Sequence, residues 1–394
     1  MKSISGYNVL VLGVSCFDGM ASSTRVRNLI EPLVEKGLIR VFNLIYTMEY
    51  KGEKTAKSGT ANGIDFRVIE LGPFNIFSVV PFLFKGMVSI KKNKSTCYKN
   101  ILYNYDYPDA KNIFFLLFAK LIGYKIVFDV VEDYSFFKHY SSFWNRFRMA
   151  TSRLLIKVSP YIADSYIVIS SNLYKKMCSL AKRKVPVHLI PVSVNFKYFN
   201  NGSNRNHRSE VKIFYGGSFG HKDGLPYLIN AFDELCIRYN NLRLILSGKG
   251  LSTDMENIFA EIAQLKCKDK IIYKGYLDTD DYYTLLNHCD IFCMTRINSK
   301  FANAGFPFKL GEFLATGKGV IATNIGDVPN YLTNKQNALL IDSESVSQLV
   351  EAISYFLNNP NKMRDIGTES RKTARQYFDS EKLSMQLFDI FKSS

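Results

Sequence analysis

Phe306-Pro307-Phe308-Lys309-Leu310-Gly311-Glu312-Phe313-Leu314-Ala315-Thr316-Gly317-Lys318-Gly319-Val320-Ile321-Ala322-Thr323 reads as a loop, a short helix, a glycine stop and a buried strand. Leu310, Phe313 and Leu314 recur at the spacing of one helix face turned to a core. Lys309 and Glu312 stand three apart and share one face of the first turn. A helix N-terminus carries partial positive charge and free N–H groups, so it attracts phosphate. A lysine there adds a full charge for a diphosphate. A glutamate one turn on is placed to accept hydrogen bonds from sugar hydroxyls. An ordinary surface helix with an i, i+3 ion pair accounts for the same two residues, so the surrounding sequence decides between the readings.

The same alternation of strand, loop and helix recurs upstream. Val211–Tyr215 has the pattern of a buried strand, Gly216–Gly224 that of a glycine loop, and Leu225, Leu228, Ile229, Phe232, Leu235 and Cys236 fall at helical spacing. Leu242–Leu246 is a strand that runs into Ser247-Gly248-Lys249-Gly250, and Ile271–Lys274 and Ile291–Met294 are further strands. This is the order of a doubly wound α/β domain with a parallel sheet. The first half opens in the same way. Asn8–Leu12 is a strand, Gly13–Thr24 a loop of small residues, and Arg25–Lys36 a helix stopped by Gly37. Lys125–Asp129 and Ser165–Ser170 are its clearest later strands, and His188–Val194 is a short extended run. Periodicity then lapses over Phe196–Glu210, an Asn-rich polar segment that predicts a linker. The expectation is two copies of one architecture, residues 1–205 and 206–378, with 379–394 packing back on the first.

At 394 residues the chain is long enough for two full cores. Its 51 Lys and Arg against 35 Asp and Glu leave a net charge of +16, which favours an anionic partner. Seven cysteines without a C-x-x-C pair argue for reduced thiols in a cytoplasmic setting rather than a disulfide scaffold or zinc site. The N-terminus lacks the charged, apolar and cleavage regions of a secretory signal. Ile76–Phe84 and Ile113–Ile122, the longest apolar runs, are too short or carry lysine, so no membrane span is expected.

Three loops after strands offer ligand chemistry. In Gly216–Gly224 the glycines remove Cβ obstacles, and successive N–H groups form an anion nest beside Lys222. The glycine order is neither the dinucleotide fingerprint nor a P-loop, and a tight turn with a solvated lysine explains it equally. Gly248 lies in a loop that serves as a tight turn or as a wall for a base or ribose. Tyr276 is placed to stack on a nucleobase or to pack at a rim. Asp278-Thr279-Asp280-Asp281 contains a D-x-D, but it precedes a helix, and capping by Asp278 or Thr279 explains it better than a metal.

Several blocks together resemble the GT-B, family 4 (group 1) glycosyltransferases. They are Gly217–Gly224, Leu228–Phe232, Leu244–Gly250, Lys274–Tyr276, Cys289–Phe292, Phe306–Thr323, Gly326-Asp327 and Asn337–Leu340. In the first half, Ala163–Ser170 and Leu189–Asn195 are similar to that family's last strand and its approach to the linker. The resemblance implies an α/β GT-B fold, two Rossmann-like domains facing across a cleft. It implies transfer of a sugar from a nucleotide diphosphate sugar to an acceptor, with retention at the anomeric carbon. Lys222 and Lys309 would bind the diphosphate and Glu312 the donor ribose. Gly217, Ser218, Phe219, Gly248, Tyr276, Arg296, Phe306 and Leu310 would complete the donor site. Fixed cations at a helix N-terminus would stabilise the leaving diphosphate, so no metal or other cofactor is implied. The chain departs from the family pattern at three places. Ala304 stands where the family often has a glutamate, Ser218 replaces an arginine with Lys222 one place early, and Gly319 replaces a proline.

The first half would bind the acceptor, through Gly19, Ser22, Ser23 and Arg25. Asp129 falls near a histidine of the family and is the candidate to touch the acceptor hydroxyl or donor sugar. Capping of the next element explains that carboxylate, Glu132 and Asp133 as well. Lys85–Lys99 and Lys138–Lys157 carry bases without acids, the second mixed with aromatics. Each base adds about 1 kcal/mol near an anionic bilayer, and a solvated helix face is the ordinary alternative. The resulting expectation is a cytoplasmic enzyme of polysaccharide biosynthesis, peripheral at the inner membrane face, acting on a glycan or lipid-linked glycan. A GT-B sugar-nucleotide epimerase, a non-catalytic nucleotide-sugar scaffold and a nucleic-acid binder are the competitors. No recognition motif supports the last, so no nucleic-acid partner is expected.

Overall fold

The computed structural model describes residues 6–17, 21–47, 57–70, 72, 76–133, 143–182, 184–199 and 210–394. The chain divides into two compact units, Met1–Pro191 with Ser380–Ser394, and Val192–Asp379.

Unit 1 alternates strands and helices in the order β1 (Tyr7–Leu12), α1 (Ala21–Glu35), β2 (Ile39–Thr47), β3 (Ser58–Ala61), β4 (Ile64–Glu70), α2 (Ile76–Lys92), β5 (Lys99–Tyr105), α3 (Ile113–Leu121), β6 (Lys125–Val130), α4 (Phe143–Val158), β7 (Ser165–Val168), α5 (Ser171–Ala181) and β8 (Val187–Leu189). The sheet order is β3-β4-β2-β1-β5-β6-β7-β8, parallel except for the β3–β4 pair. β1 lies inside the sheet, and Val9 to Leu12 are buried on both faces, as a covered parallel strand requires. The helix after β1 starts at Ala21, not at Arg25 as the sequence predicts. Ser22 and Ser23 therefore belong to the first turn of α1, and Ser23 is buried there. Of the extended run His188–Val194, only His188 and Leu189 lie in a strand, β8, and Val194 makes an isolated bridge to Asp379.

Unit 2 continues with β9 (Val211–Gly217), α6 (Leu225–Arg238), β10 (Leu242–Gly248), α7 (Ser252–Ala263), β11 (Ile271–Tyr273), α8 (Thr279–His288), β12 (Ile291–Met294), α9 (Lys300–Ala304), α10 (Phe308–Ala315), β13 (Gly319–Thr323), β14 (Leu339–Ile341), α11 (Val346–Asn358) and α12 (Pro360–Tyr377). Its sheet is parallel, in the order β11-β10-β9-β12-β13-β14. The chain winds outward from β9 through β10 to β11, then returns to β12 on the other side of β9. Between β9 and β12 lies a topological switch point, where open α/β sheets gather ligands at strand C-termini.

The last helix, α13 (Ser380–Ser393), belongs to unit 1, and Leu387, Phe388 and Phe391 enter that unit's core with Val26, Leu29 and Leu33 of α1. The division falls at Pro191 rather than at residue 205 because the chain beyond it already packs in unit 2. The Val194 N–H bonds the Phe378 carbonyl at 2.7 Å, and Tyr198 stacks on Tyr283 with ring centroids 4.2 Å apart. Residues 200–209 of the expected linker lie outside the described residues. A second correction concerns the cysteines. Cys236 and Cys267, 31 residues apart, are joined as a disulfide, whereas Cys16, Cys97, Cys178, Cys289 and Cys293 form no disulfide.

Candidate functional site

Two loops at the switch point of unit 2 are stitched together. After β9 the chain makes a single 3-10 turn, His221–Asp223, and passes through Gly224 at φ +64° into α6. After β12, Thr295 and Ile297 bond this turn. The Thr295 hydroxyl donates to the Asp223 carbonyl at 2.9 Å, and the Ile297 N–H to the Lys222 carbonyl at 3.0 Å. A Cβ at position 224 would lie 2.0 Å from the Thr295 oxygen, so the approach requires glycine. Asp223, nearly buried, accepts from the Ser218 hydroxyl and pairs with Arg296 at 3.4 Å. Lys222 lays its ammonium 4.5 Å from the centre of the Phe301 ring. The geometry thus brings Lys222 and Arg296, from loops 74 positions apart in sequence, onto one pair of neighbouring strand ends.

Lys309 and Glu312 form the second cluster. Leu310, Phe313 and Leu314 are buried, which fixes α10 by its apolar face and sets its first turn. Gly311 packs against Val192, Val194 and Phe378, where a Cβ would come within 3.0 Å of both valines. The Lys309 ammonium stands 3.4 Å from the Glu312 carboxylate and 3.9 Å from the centre of the Tyr282 ring. Glu312 is itself nearly buried and accepts hydroxyl hydrogen bonds from Tyr282 at 3.0 Å and Tyr283 at 2.9 Å. Burial, and then the Glu312 charge, pushes the Tyr282 hydroxyl well above the usual tyrosine range, so it stays protonated as a donor. The i, i+3 ion pair is present, and it sits within a cluster that holds a carboxylate and an ammonium in fixed places.

The remaining predicted donor residues divide by what their side chains do. Tyr276 is 45% exposed, with the Lys249 ammonium 4.6 Å from its ring centre, so an aromatic face and a cation stand together after β11. Gly248, at φ +133°, lies against the Gly217 backbone, where a Cβ would be 1.9 Å from the carbonyl oxygen; it closes the loop onto the adjacent strand. Phe219, Phe306 and Leu310 require correction. Phe219 is buried between Tyr215 and Tyr273, Phe306 between Tyr331 and Phe378, and Leu310 is fully buried. Core packing consumes all three side chains and leaves their backbone groups as the available contacts. The Asp278 side chain accepts from the Asp281 N–H and caps α8, the role the sequence favoured over a metal.

Sequence reasoning missed Asp223, Tyr282, Tyr283 and Tyr215. The Tyr215 hydroxyl is buried beside Gly217 and has no hydrogen-bond partner among the described residues. No spacing signal exists for the tyrosines on Glu312, because those contacts span 29 and 30 positions.

In unit 1 the expected acceptor residues are placed otherwise. Gly19 lies outside the described residues. Ser22 is part of α1. Arg25 is 1% exposed, and its guanidinium grips both oxygens of Asp129 at 2.8 Å while bonding the carbonyls of Ile190 and Pro191. The Tyr103 hydroxyl also donates to Asp129. Burial works against the Arg25 charge, but the Asp129 charge and hydrogen bonds outweigh it and raise the guanidinium's pKa. Both Arg25 and Asp129 are therefore buried and occupied with each other. The pair ties α1, β5, β6 and the segment after β8 together rather than facing an acceptor.

Residues 199–373 match the family model described as "Glycosyl transferases group 1". An uncharacterized glycosyltransferase of Bacillus subtilis, YqgM, is 27% identical over 228 residues, covering 57% of this chain and 59% of that protein. The chain thus spans less than two thirds of the relative's length. Two solved structures share the whole architecture. Sucrose-phosphate synthase from Thermosynechococcus elongatus superposes with a TM-score of 0.74 at 16% identity, covering 98% of both chains. Anabaena Alr3699/HepE in complex with UDP-glucose gives a TM-score of 0.73 at 15% identity, over 98% of this chain and 100% of that one. At such identities the likeness establishes the fold, that of the GT-B glycosyltransferases.

Proposed function

We propose that this chain, which carries a group 1 glycosyl transferase domain over residues 199–373, moves a sugar from a nucleotide diphosphate sugar to a glycan or lipid-linked glycan, with retention at the anomeric carbon. The observation that carries the reading is the placing of Lys222, Arg296 and Lys309 after β9 and β12, the two strands that flank the switch point. Three cations on the segments that follow these strands would match a diphosphate. As the glycosidic bond to the donor breaks, the leaving diphosphate gains negative charge, and cations already in position stabilise it without reorganising. On this reading the ammonium of Lys309, held by Glu312 and Tyr282, exchanges part of its pairing with the carboxylate for phosphate oxygens. Glu312, freed on that side, accepts from the ribose hydroxyls. Tyr276 with Lys249 offers a stacking platform for the base.

The role assigned to the cations needs no metal ion, and turnover is expected to survive EDTA. A lipid-linked acceptor would bring the protein to the anionic leaflet at which such sugars are assembled in polysaccharide biosynthesis. That an Anabaena relative of the same fold was crystallised with UDP-glucose supports a nucleotide sugar as donor.

The test is a melting-temperature screen against UDP, GDP, ADP and their sugars. One nucleotide should stabilise the protein, and Lys309→Ala and Glu312→Gln should each weaken its binding at least tenfold, about 1.4 kcal/mol. Equal stabilisation of the wild type and both variants would remove the donor site from α10. Product analysis with the identified donor then separates transfer from binding alone.

A further inference from the structure

Six large apolar side chains open to solvent lie on two neighbouring helices of unit 1. Phe77 is 87% exposed, Phe84 68% and Leu121 84%, and Val80, Phe114 and Leu117 are each about half exposed. Phe77, Val80 and Phe84 stand at i, i+3 and i+7 on α2, and Phe114, Leu117 and Leu121 repeat that spacing on α3. Each set is one face of its helix. The opposite faces are buried through Phe82 and Ile90 on α2 and Phe115, Leu116 and Ala119 on α3. The helices touch directly, with the Phe82 and Phe115 rings 5.3 Å apart and Gly86 so close that a Cβ would meet the Phe115 ring at 2.2 Å. Both are right-handed crossovers taken in the same direction across the sheet, from β4 to β5 and from β5 to β6, so they lie on one side of it.

One end of this face is basic. Exposed Lys91 and Lys92 close α2, and Lys94 follows them. Beyond α3 the chain reaches Lys125, which bonds Asp164. A cavity of about 520 Å³ lies at this end, lined by Lys94, Thr96, Tyr98, Lys99, Asn100 and Lys125. Residues 76–125 carry eight lysines against Asp106 and Asp109 alone.

We propose that the outer face of α2 and α3 docks the protein on an anionic phospholipid bilayer. The two apolar stripes enter the boundary between headgroups and acyl chains. Lys91, Lys92 and the cavity of Lys94, Lys99 and Lys125 take lipid phosphates. Amphipathic helices bind bilayers through this combination of apolar area and charge. The rim distinguishes a bilayer from a protein partner, since lysine is depleted at protein interfaces and abundant here. No described helix is long and apolar enough to cross a membrane, and the association proposed here is peripheral. This surface deepens the lipid-linked arm of the proposed function and rests on that reading for its purpose, whereas its binding energy comes from unit 1.

The test is co-sedimentation of the full chain with vesicles of phosphatidylcholine alone and of phosphatidylcholine and phosphatidylglycerol in equal parts. The protein should partition at least tenfold more strongly onto the anionic vesicles and lose that preference in high salt. Phe77→Ser with Phe84→Ser, and separately Lys91→Glu with Lys92→Glu, should each reduce partitioning at least tenfold. All four side chains are exposed, so unchanged circular dichroism and melting temperature certify the fold. Wild-type protein that stays in the supernatant with anionic vesicles, or variants that bind as the wild type does, would overturn the proposal. So would a lipid-free dimer abolished by the serine variant, which would assign the face to a second copy. Nucleotide melting shifts measured on the same samples read the donor site separately.

Discussion

Single residues in this chain carry charge into places where only a partner makes it tolerable. Arg25 and Asp129 are both fully buried, and each is the other's compensation. Removing one partner leaves a buried charge without its counter-ion, which costs about 3–5 kcal/mol, far more than an exposed pair would. Arg25→Ala is therefore expected to lower the unfolding free energy by that amount in urea titration. Replacing both residues by apolar ones of similar size, Arg25→Met with Asp129→Leu, should recover much of the loss. A single variant within 1 kcal/mol of wild type would contradict the assignment. The case also shows where the sequence stops being legible. A basic residue shortly after a small-residue loop and an acid at a strand end look like site residues, because both occur at strand C-termini. Only the tertiary pairing across 104 positions reveals that they satisfy each other. Phe306 and Leu310 differ for a related reason: they stand in the stretch that carries Lys309 and Glu312, but their own side chains are spent on core packing.

At the scale of elements, the pattern in the sequence was most informative where a strand is covered on both faces. β12 and β13 are short unbroken apolar runs, and the structure places them at Ile291–Met294 and Gly319–Thr323, within a residue of the sequence reading. The start of α1 was not legible, since Ala21-Ser22-Ser23-Thr24 is rich in residues that compete with the helix for backbone hydrogen bonds. Burial of Ser23 in the fold overrides that preference. Asp164 shows how one side chain secures several elements. It accepts from Lys120 of α3 at 2.5 Å, from Lys125 at 3.2 Å and from the Ile126 N–H of β6 at 2.8 Å. Partial burial alone would raise its pKa, but the hydrogen bonds from Lys120, Ile126 and Lys125 together hold it below the ordinary range of an aspartate. A carboxylate with a depressed folded pKa stabilises the fold above its unfolded pKa and loses that contribution as pH falls through the folded one. The lysines are a third to nearly half exposed, so screening limits the effect. Asp164→Asn should cost about 1–2 kcal/mol at neutral pH, and the gap from wild type should close below about pH 4. A gap of constant size across that range, measured by urea unfolding at each pH, would assign the loss to packing rather than charge.

At the scale of the molecule, two of the hydrophobic clusters among the described residues are built from different stretches of chain, and the last helix belongs with the first. One core joins β9, α6 and β10 with α11, and the other joins β1 and α1 with α13. A return of the C-terminus cannot be derived from local periodicity, because the pattern of Leu383, Leu387 and Phe391 says that a face is apolar but not what covers it. In the fold it is covered by α1, and the Phe391 ring stands edge-on to Tyr103, whose hydroxyl holds Asp129. The C-terminal helix thereby supports the buried ion pair of unit 1, whereas the candidate donor residues Lys222, Arg296, Lys309 and Glu312 all belong to unit 2. The two cores should respond separately. Phe391→Ala removes a fully buried ring and should destabilise unit 1 by about 3–5 kcal/mol. A nucleotide at a hundred times its Kd should stabilise unit 2 by about 2.7 kcal/mol. In calorimetry the variant should therefore melt with a transition lowered relative to wild type that nucleotide leaves in place, and a second that nucleotide raises as it does in the wild type. If nucleotide instead shifts the lowered transition, its binding free energy is being delivered to the core that holds Phe391, and the assignment of the donor site to unit 2 fails.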